Sequence, residues 1–170
     1  LGLIALIKPE AREQFESAAQ RHSANLKATL SQAGITNLVL FTLEIAGRIF
    51  VFTFFYYTGE DPNVAPTLLK NYCEWWNALT PYLDPHPRAK DTGQPWLPME
   101  LINIVTAKPP RSGQMNRLGV MAGVKPSGEL TYRTLHQTNW PGVVEQMFRS
   151  HYRTWTTFLV EWGEELLLFT

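Results

Sequence analysis

Tyr132, His136 and Trp140 stand four residues apart within TYRTLHQTNWPG, residues 131–142. That spacing lines side chains up along one face of a helix. A histidine titrates near pH 6.5 or thereabouts, so an imidazole beside a phenol is a pair that can move protons at neutral pH. The ordinary alternative is a hydrogen-bonded core histidine next to a tyrosine that buries its ring and wets its hydroxyl. A second stretch, YCEWWNALTP at 72–81, carries Trp75 and Trp76. Adjacent helical residues point about 100° apart, so one indole can enter the core while the other walls a cavity. An indole face suits the C–H surface of a sugar or another flat ligand; two large core aromatics are the competing reading. His22, Cys73, His86 and His151 read as incidental to a site. With neither a phosphate-binding glycine loop nor a metal-ligand cluster in the sequence, no cofactor and no metal is expected.

The elements that must position these groups come in two copies. Sliding the chain by 117 residues aligns 1–53 with 118–170 without a gap. Leu1, Gly2, Ala5, Lys8, Pro9, Gln20, Phe41, Glu44, Phe52 and Thr53 recur as Leu118, Gly119, Ala122, Lys125, Pro126, Gln137, Phe158, Glu161, Phe169 and Thr170. A fixed period of this kind marks a duplicated unit. In this register Tyr132, His136 and Trp140 replace Phe15, Ala19 and Ser23. The second copy therefore puts a phenol and an imidazole where the first has apolar packing. A buried polar group without a partner costs on the order of 1–3 kcal/mol, so each must find a hydrogen bond or face a wet pocket. Copy two has no counterpart of residues 54–105, and Leu1 stands where Met would open a chain; the expectation is a fragment whose second copy continues beyond Thr170.

Within copy one, residues 3–7 form an apolar run ending in Lys8-Pro9-Glu10. Proline suits the first turn of a helix, where its missing N–H has no partner in any case. The helix that follows carries Phe15, Ala19, His22, Leu26 and Leu30 as one apolar stripe. Residues 37–45 and 48–57 flank Ala46-Gly47 and predict a hairpin. TLLKNYCEWWNALTPYL, 67–83, predicts a second helix, Asp84–Pro98 a polar loop, and MELINIVTA, 99–107, a last strand. The order β-α-β-β-α-β is the ferredoxin-like, split βαβ arrangement of the α+β class. The expected domains are a first repeat at 1–106, a linker at 107–117 and a second repeat at 118–170. Two such sheets pair into an α+β barrel, so the duplicated chain is expected to form a pseudo-dimer or to associate as a homo-dimer.

Fifteen basic and fifteen acidic residues cancel, which argues against nucleic acid and against an anionic membrane surface as partners. The single cysteine, Cys73, excludes an internal disulfide and fits a cytoplasmic setting. Glu44, Gly47 and Arg48 interrupt the long apolar run 37–57, so it reads as the hairpin rather than a membrane span.

Taken in order, three motifs resemble the L-rhamnose mutarotase family of dimeric α+β barrels. They are Tyr132-x3-His136-x3-Trp140-Pro141 on a helix after a strand, the Trp75-Trp76 pair on a second helix, and the entry PWLPMELINIV at 95–105 into a last strand. The resemblance spans nearly all of copy one and the available half of copy two. It implies an isomerase that interconverts the α and β anomers of L-rhamnose or a related monosaccharide by opening and reclosing the ring, without a cofactor. It implies catalytic roles for Tyr132 and His136, and sugar contact for Trp75, Trp76 and Trp140. No single copy holds the whole set, since copy one has Phe15 and Ala19 at the catalytic positions and copy two ends before a second helix. Residues beyond Thr170 would supply the remainder; a composite site across the copies and a loss of activity are the alternatives. Two rival functions share the fold: a non-catalytic sugar-binding or structural relative, and a cofactor-free barrel enzyme acting on an aromatic substrate.

Overall fold

A computed structural model describes residues 1–21, 25–89, 91–106 and 116–170. The protein is a mixed α+β molecule with antiparallel strand pairing, and it divides into two units, Leu1–Pro98 and Met99–Thr170.

Unit one opens with β1 (Gly2–Ile7) and enters α1 (Arg12–Gln20) through a 3-10 turn at Pro9–Ala11. Then come α2 (Leu26–Gln32), β2 (Ile35–Ile45) and β3 (Arg48–Tyr57). The hairpin turn has Ala46 at φ 50° and Gly47 at φ 72°. Two left-handed residues in succession give the twist that a two-residue hairpin loop needs, and glycine takes one of them without a side-chain clash. α3 (Ala65–Tyr72), α4 (Glu74–Leu79) and the short β4 (Leu83–Asp84) complete the unit. β1 lies between β3 and β4. Leu3, Ala5 and Ile7 of β1 point to the helical side and are buried with Phe15, Leu30, Leu69, Cys73, Trp76 and Leu79. Each buried leucine, isoleucine or phenylalanine among them contributes about 1.5–3 kcal/mol by leaving water.

Unit two contains most of β5 (Leu97–Thr106), then β6 (Met121–Val124), α5 (Glu129–Gln137), α6 (Pro141–Arg149), β7 (Thr154–Trp162) and β8 (Glu165–Phe169). Its strands run in the order β5-β7-β8-β6. The 117-residue register holds at the level of elements: the turns at 9–11 and 126–128 correspond, as do α1 at 12–20 and α5 at 129–137.

All three predicted long helices are broken. In copy one the helix expected to carry Phe15 to Leu30 as one stripe stops at Gln20, with Arg21 at φ −87° and ψ 57°, and α2 starts afresh at Leu26. In copy two α5 stops at Gln137, and Trp140 is extended, with φ −69° and ψ 130°. Pro141 is the cause: its ring pushes the preceding residue out of the helical region, while the proline itself starts α6. The second helix of copy one breaks at Cys73, whose φ of −119° and ψ of 94° are those of a strand. The Asn77 amide donates to the Lys70 carbonyl at 2.6 Å, giving one of the carbonyls at the end of α3 a partner. His22 and nearly all of the expected linker, residues 107–115, lie outside the described residues. Among the described residues no helix is long and apolar enough to cross a membrane.

Candidate functional site

α5 carries the candidate pair. Tyr132 packs beside Ile102, Leu159, Leu166 and Leu168, so its ring continues the apolar face of the sheet in unit two. His136 lies one turn on, and the two rings stack with centroids 4.1 Å apart and planes at 22°. Nδ1 of His136 is 3.0 Å from the backbone carbonyl of Tyr132. A carbonyl only accepts, so Nδ1 carries the proton of this bond. In the neutral tautomer that makes this bond, Nε2 is the lone-pair nitrogen. Burial raises the pKa of the Tyr132 phenol above its usual value, which keeps the hydroxyl protonated as a donor.

Trp140 does not join this row. It follows the break, at the mouth of α6, and is 67% exposed. Four-residue spacing aligns side chains only while the helix lasts, and Pro141 ends it.

The tryptophan pair belongs to unit one. Trp76 is core, 3% exposed, and stacks on Trp96 with centroids 4.2 Å apart. Trp75, half-buried, crosses to α1 and donates from Nε1 to the Ala19 carbonyl at 3.1 Å. The two indoles therefore diverge as their helical offset requires, one into the core and one onto the neighbouring helix. The structure brings Tyr132 and His136 together in unit two, and it places Trp75 and Trp76 against other partners in unit one.

Five further polar residues meet on and around α5 that the sequence pattern did not single out. The pairing of β5 with β7 shifts register between Leu101 and Asn103. A bulge of this kind turns one extra residue toward a face it would otherwise avoid. Ile102 joins the cluster around Tyr132, and Asn103 reaches the same side, where its amide and that of Asn139 exchange two hydrogen bonds of 3.2 and 2.9 Å. One residue before the bulge, Glu100 accepts from Arg133 at 2.7 Å, and Glu129 accepts from the same guanidinium at 2.8 Å. Those bonds, Glu100 first, raise the Arg133 pKa above its usual value. α5 is thus tied to β5 by an ion pair at its midpoint, Arg133, and by an amide pair just past its C-terminal end, Asn139, with His136 between the two ties and Tyr132 next to the first. No sequence pattern flags a bulge in β5, because alternation is lost for a single residue only.

On the helical side of β7, Thr157 is fully buried and its hydroxyl accepts from the Trp155 indole at 3.0 Å. A pocket in unit two lies on α6, a largely apolar recess of about 360 Å³ lined by Gly142, Val143, Gln146, Met147, Ser150 and Tyr152. Neither Tyr132 nor His136 lines it.

No protein-family model matches the chain, and no curated protein matches it.

Proposed function

We propose that this chain is an aldose mutarotase of the L-rhamnose type, built as a duplicated ferredoxin-like α+β protein, with its acid–base pair on α5 of the second copy. The observation that carries the reading is the stacked Tyr132–His136 pair, in which the bond from Nδ1 to the Tyr132 carbonyl leaves Nε2 as an oriented base. Mutarotation needs a base to take the proton of the anomeric hydroxyl and an acid to deliver one to the ring oxygen. The bond from the anomeric carbon to the ring oxygen breaks as the aldehyde forms. Rotation and reclosure return both protons and invert the anomeric centre. His136 is the base for ring opening. The protonated phenol of Tyr132 is the donor at the ring oxygen, and the two exchange roles on closure.

The magnitudes agree with so small a site. Ring opening already proceeds in water, and a positioned acid or base contributes about 10²–10⁴-fold. The Asn103–Asn139 amides lie at the end of the same helix and are groups of the kind that bind sugar hydroxyls. The deciding experiment is saturation-transfer NMR on equilibrated L-rhamnose. Magnetisation passing between the anomeric signals with the chain, and ceasing with His136→Ala, supports the reading. No exchange with rhamnose or with a panel of other aldoses removes it.

A further inference from the structure

In unit one a single segment, residues 65–84, covers three places on the first half of its repeat. α4 lies over the helical face of β1, where Leu3, Ala5 and Ile7 are 2%, 0% and 1% exposed. α3 meets α2, whose Leu30 is buried in the same core as Leu69. β4 pairs with β1 on the side opposite β3 through Leu6–Asp84 and Ile7–Leu83.

In unit two the corresponding places are bare. Val120 and Ala122, which stand for Leu3 and Ala5, are exposed, Val120 by 46%. Val143, which stands for Leu26, is 55% exposed, and Met147, which stands for Leu30, lines the open recess on α6. β6 pairs with β8, and among the described residues of its unit no strand pairs with its other edge. Leu135 and Leu130 of α5 are exposed as well. A bare strand edge, a bare apolar strand face and an apolar helical recess thus recur at the three positions that one segment covers in the other copy.

We infer that unit two is a docking surface for a helix–helix–strand segment of the same apolar pattern as residues 65–84. The occupant's strand pairs with Gly123 and Val124, and its helices lie over Val120, Ala122 and Met147. This holds whether or not the sugar chemistry does, since it rests on the register of the two copies alone. The occupant is a separate segment, because residues 65–84 are themselves buried in unit one. A second copy of the chain has its own 65–84 engaged in the same way and offers only its β6 edge. Docking also bears on the candidate site. Trp75 of the covering segment bonds to the carbonyl of Ala19, and His136 holds the Ala19 position in unit two. An indole N–H of the occupant at the Trp75 position would therefore reach the backbone carbonyl of His136.

The probe is a synthetic peptide of residues 62–84, added under reducing conditions to the full chain and followed by NMR amide shifts, amide hydrogen exchange and light-scattering mass. The expected result is a one-to-one complex, with shifts at 120–125, 132–136 and 143–152 and exchange at Gly123 and Lys125, whose N–H groups point away from β8, slowed at least tenfold. Val143→Asp, a change at an exposed position, is expected to weaken binding tenfold or more. Absence of binding, or equal binding to Val143→Asp, overturns the inference. A chain that dimerises through β6 and ignores the peptide also overturns it, in favour of a second copy as occupant. None of these readouts uses a sugar, so failure of the mutarotase reading leaves them intact.

Discussion

The indole N–H of Trp75 donates to the carbonyl of Ala19 at 3.1 Å, and Ala19 holds the position that His136 holds 117 residues later. In the first copy, then, a tryptophan from the second helix pair sits over the spot where the second copy carries its imidazole. The two halves of the motif set are spatial neighbours within one repeat even though neither copy contains both.

The two tryptophans are expected to separate in a stability experiment. Trp76→Ala removes a buried ring stacked on Trp96 and should cost about 3–5 kcal/mol. Trp75→Phe keeps most of the packing and loses one hydrogen bond, a cost of about 0.5–1.5 kcal/mol. Urea unfolding of both variants measures the difference; equal losses would mean that Trp76 is not the core residue of the pair.

Asn103 and Asn139 satisfy each other, so removing one strands the other. Asn139→Leu should destabilise by about 1–3 kcal/mol, because Asn103 is buried and the bonds of its amide go unmade. Adding Asn103→Leu should recover part of that loss. A double-mutant cycle in urea gives the coupling, and a value near zero would show that water replaces the missing partner.

Tyr132→Phe preserves the ring that packs on Ile102, Leu159, Leu166 and Leu168 and deletes the hydroxyl alone. The expected outcome is an unfolding midpoint close to that of the parent and anomer exchange slowed about a hundredfold or more, the lower part of what an acid–base group supplies. A slow variant that is also unstable would point to a structural hydroxyl instead.

His86 supplies a pH signature unrelated to the candidate site. Its Nδ1 accepts from the Arg88 backbone N–H at 3.1 Å, and burial first, then the charge of Arg88, lower its pKa below the usual value. The unfolded chain binds the proton more readily. Stability from this residue is therefore complete above the unfolded value of about 6.5 and declines as pH falls from there through the lowered folded value. His86→Asn retains an acceptor for Arg88 and should flatten the slope of urea midpoint against pH between about 7.5 and 5. Tyr132 has the opposite signature: its raised pKa supports the fold below about 10 and ceases to do so as pH climbs through the folded value.

Much of the element pattern was legible because local chemistry decided it. Lys8-Pro9 and Lys125-Pro126 mark where strands yield to helices, and Ala46-Gly47 marks the hairpin. Phe15 and Leu30 were placed in the core by three- and four-residue periodicity, and both are buried there. Helix continuity was not legible to the same degree. Periodicity survives a break when the two pieces pack on the same surface, as α3 and α4 do around Cys73. At Trp140 the break was written in the sequence, since a proline follows, but the four-residue spacing masked it. Asn103 was hidden for a different reason: its orientation depends on a bulge created by pairing with β7, a partner about 50 residues away in sequence. Of the candidate site, the Tyr132–His136 contact follows from helical geometry, whereas the amide pair beside it is a tertiary event.

The bare edge of β6 has a practical side. From Leu118 to Val124 the chain reads LGVMAGV, seven residues with neither charge nor proline, ahead of Lys125 and Pro126. Unpaired strand edges of that composition are templates for intermolecular sheet growth, which charged or proline gatekeepers normally block. The concentrated chain will be lost to fibrillar or amorphous sheet before it is lost to unfolding, and a single lysine at Ala122, on the exposed face, is the change that should extend its storage life.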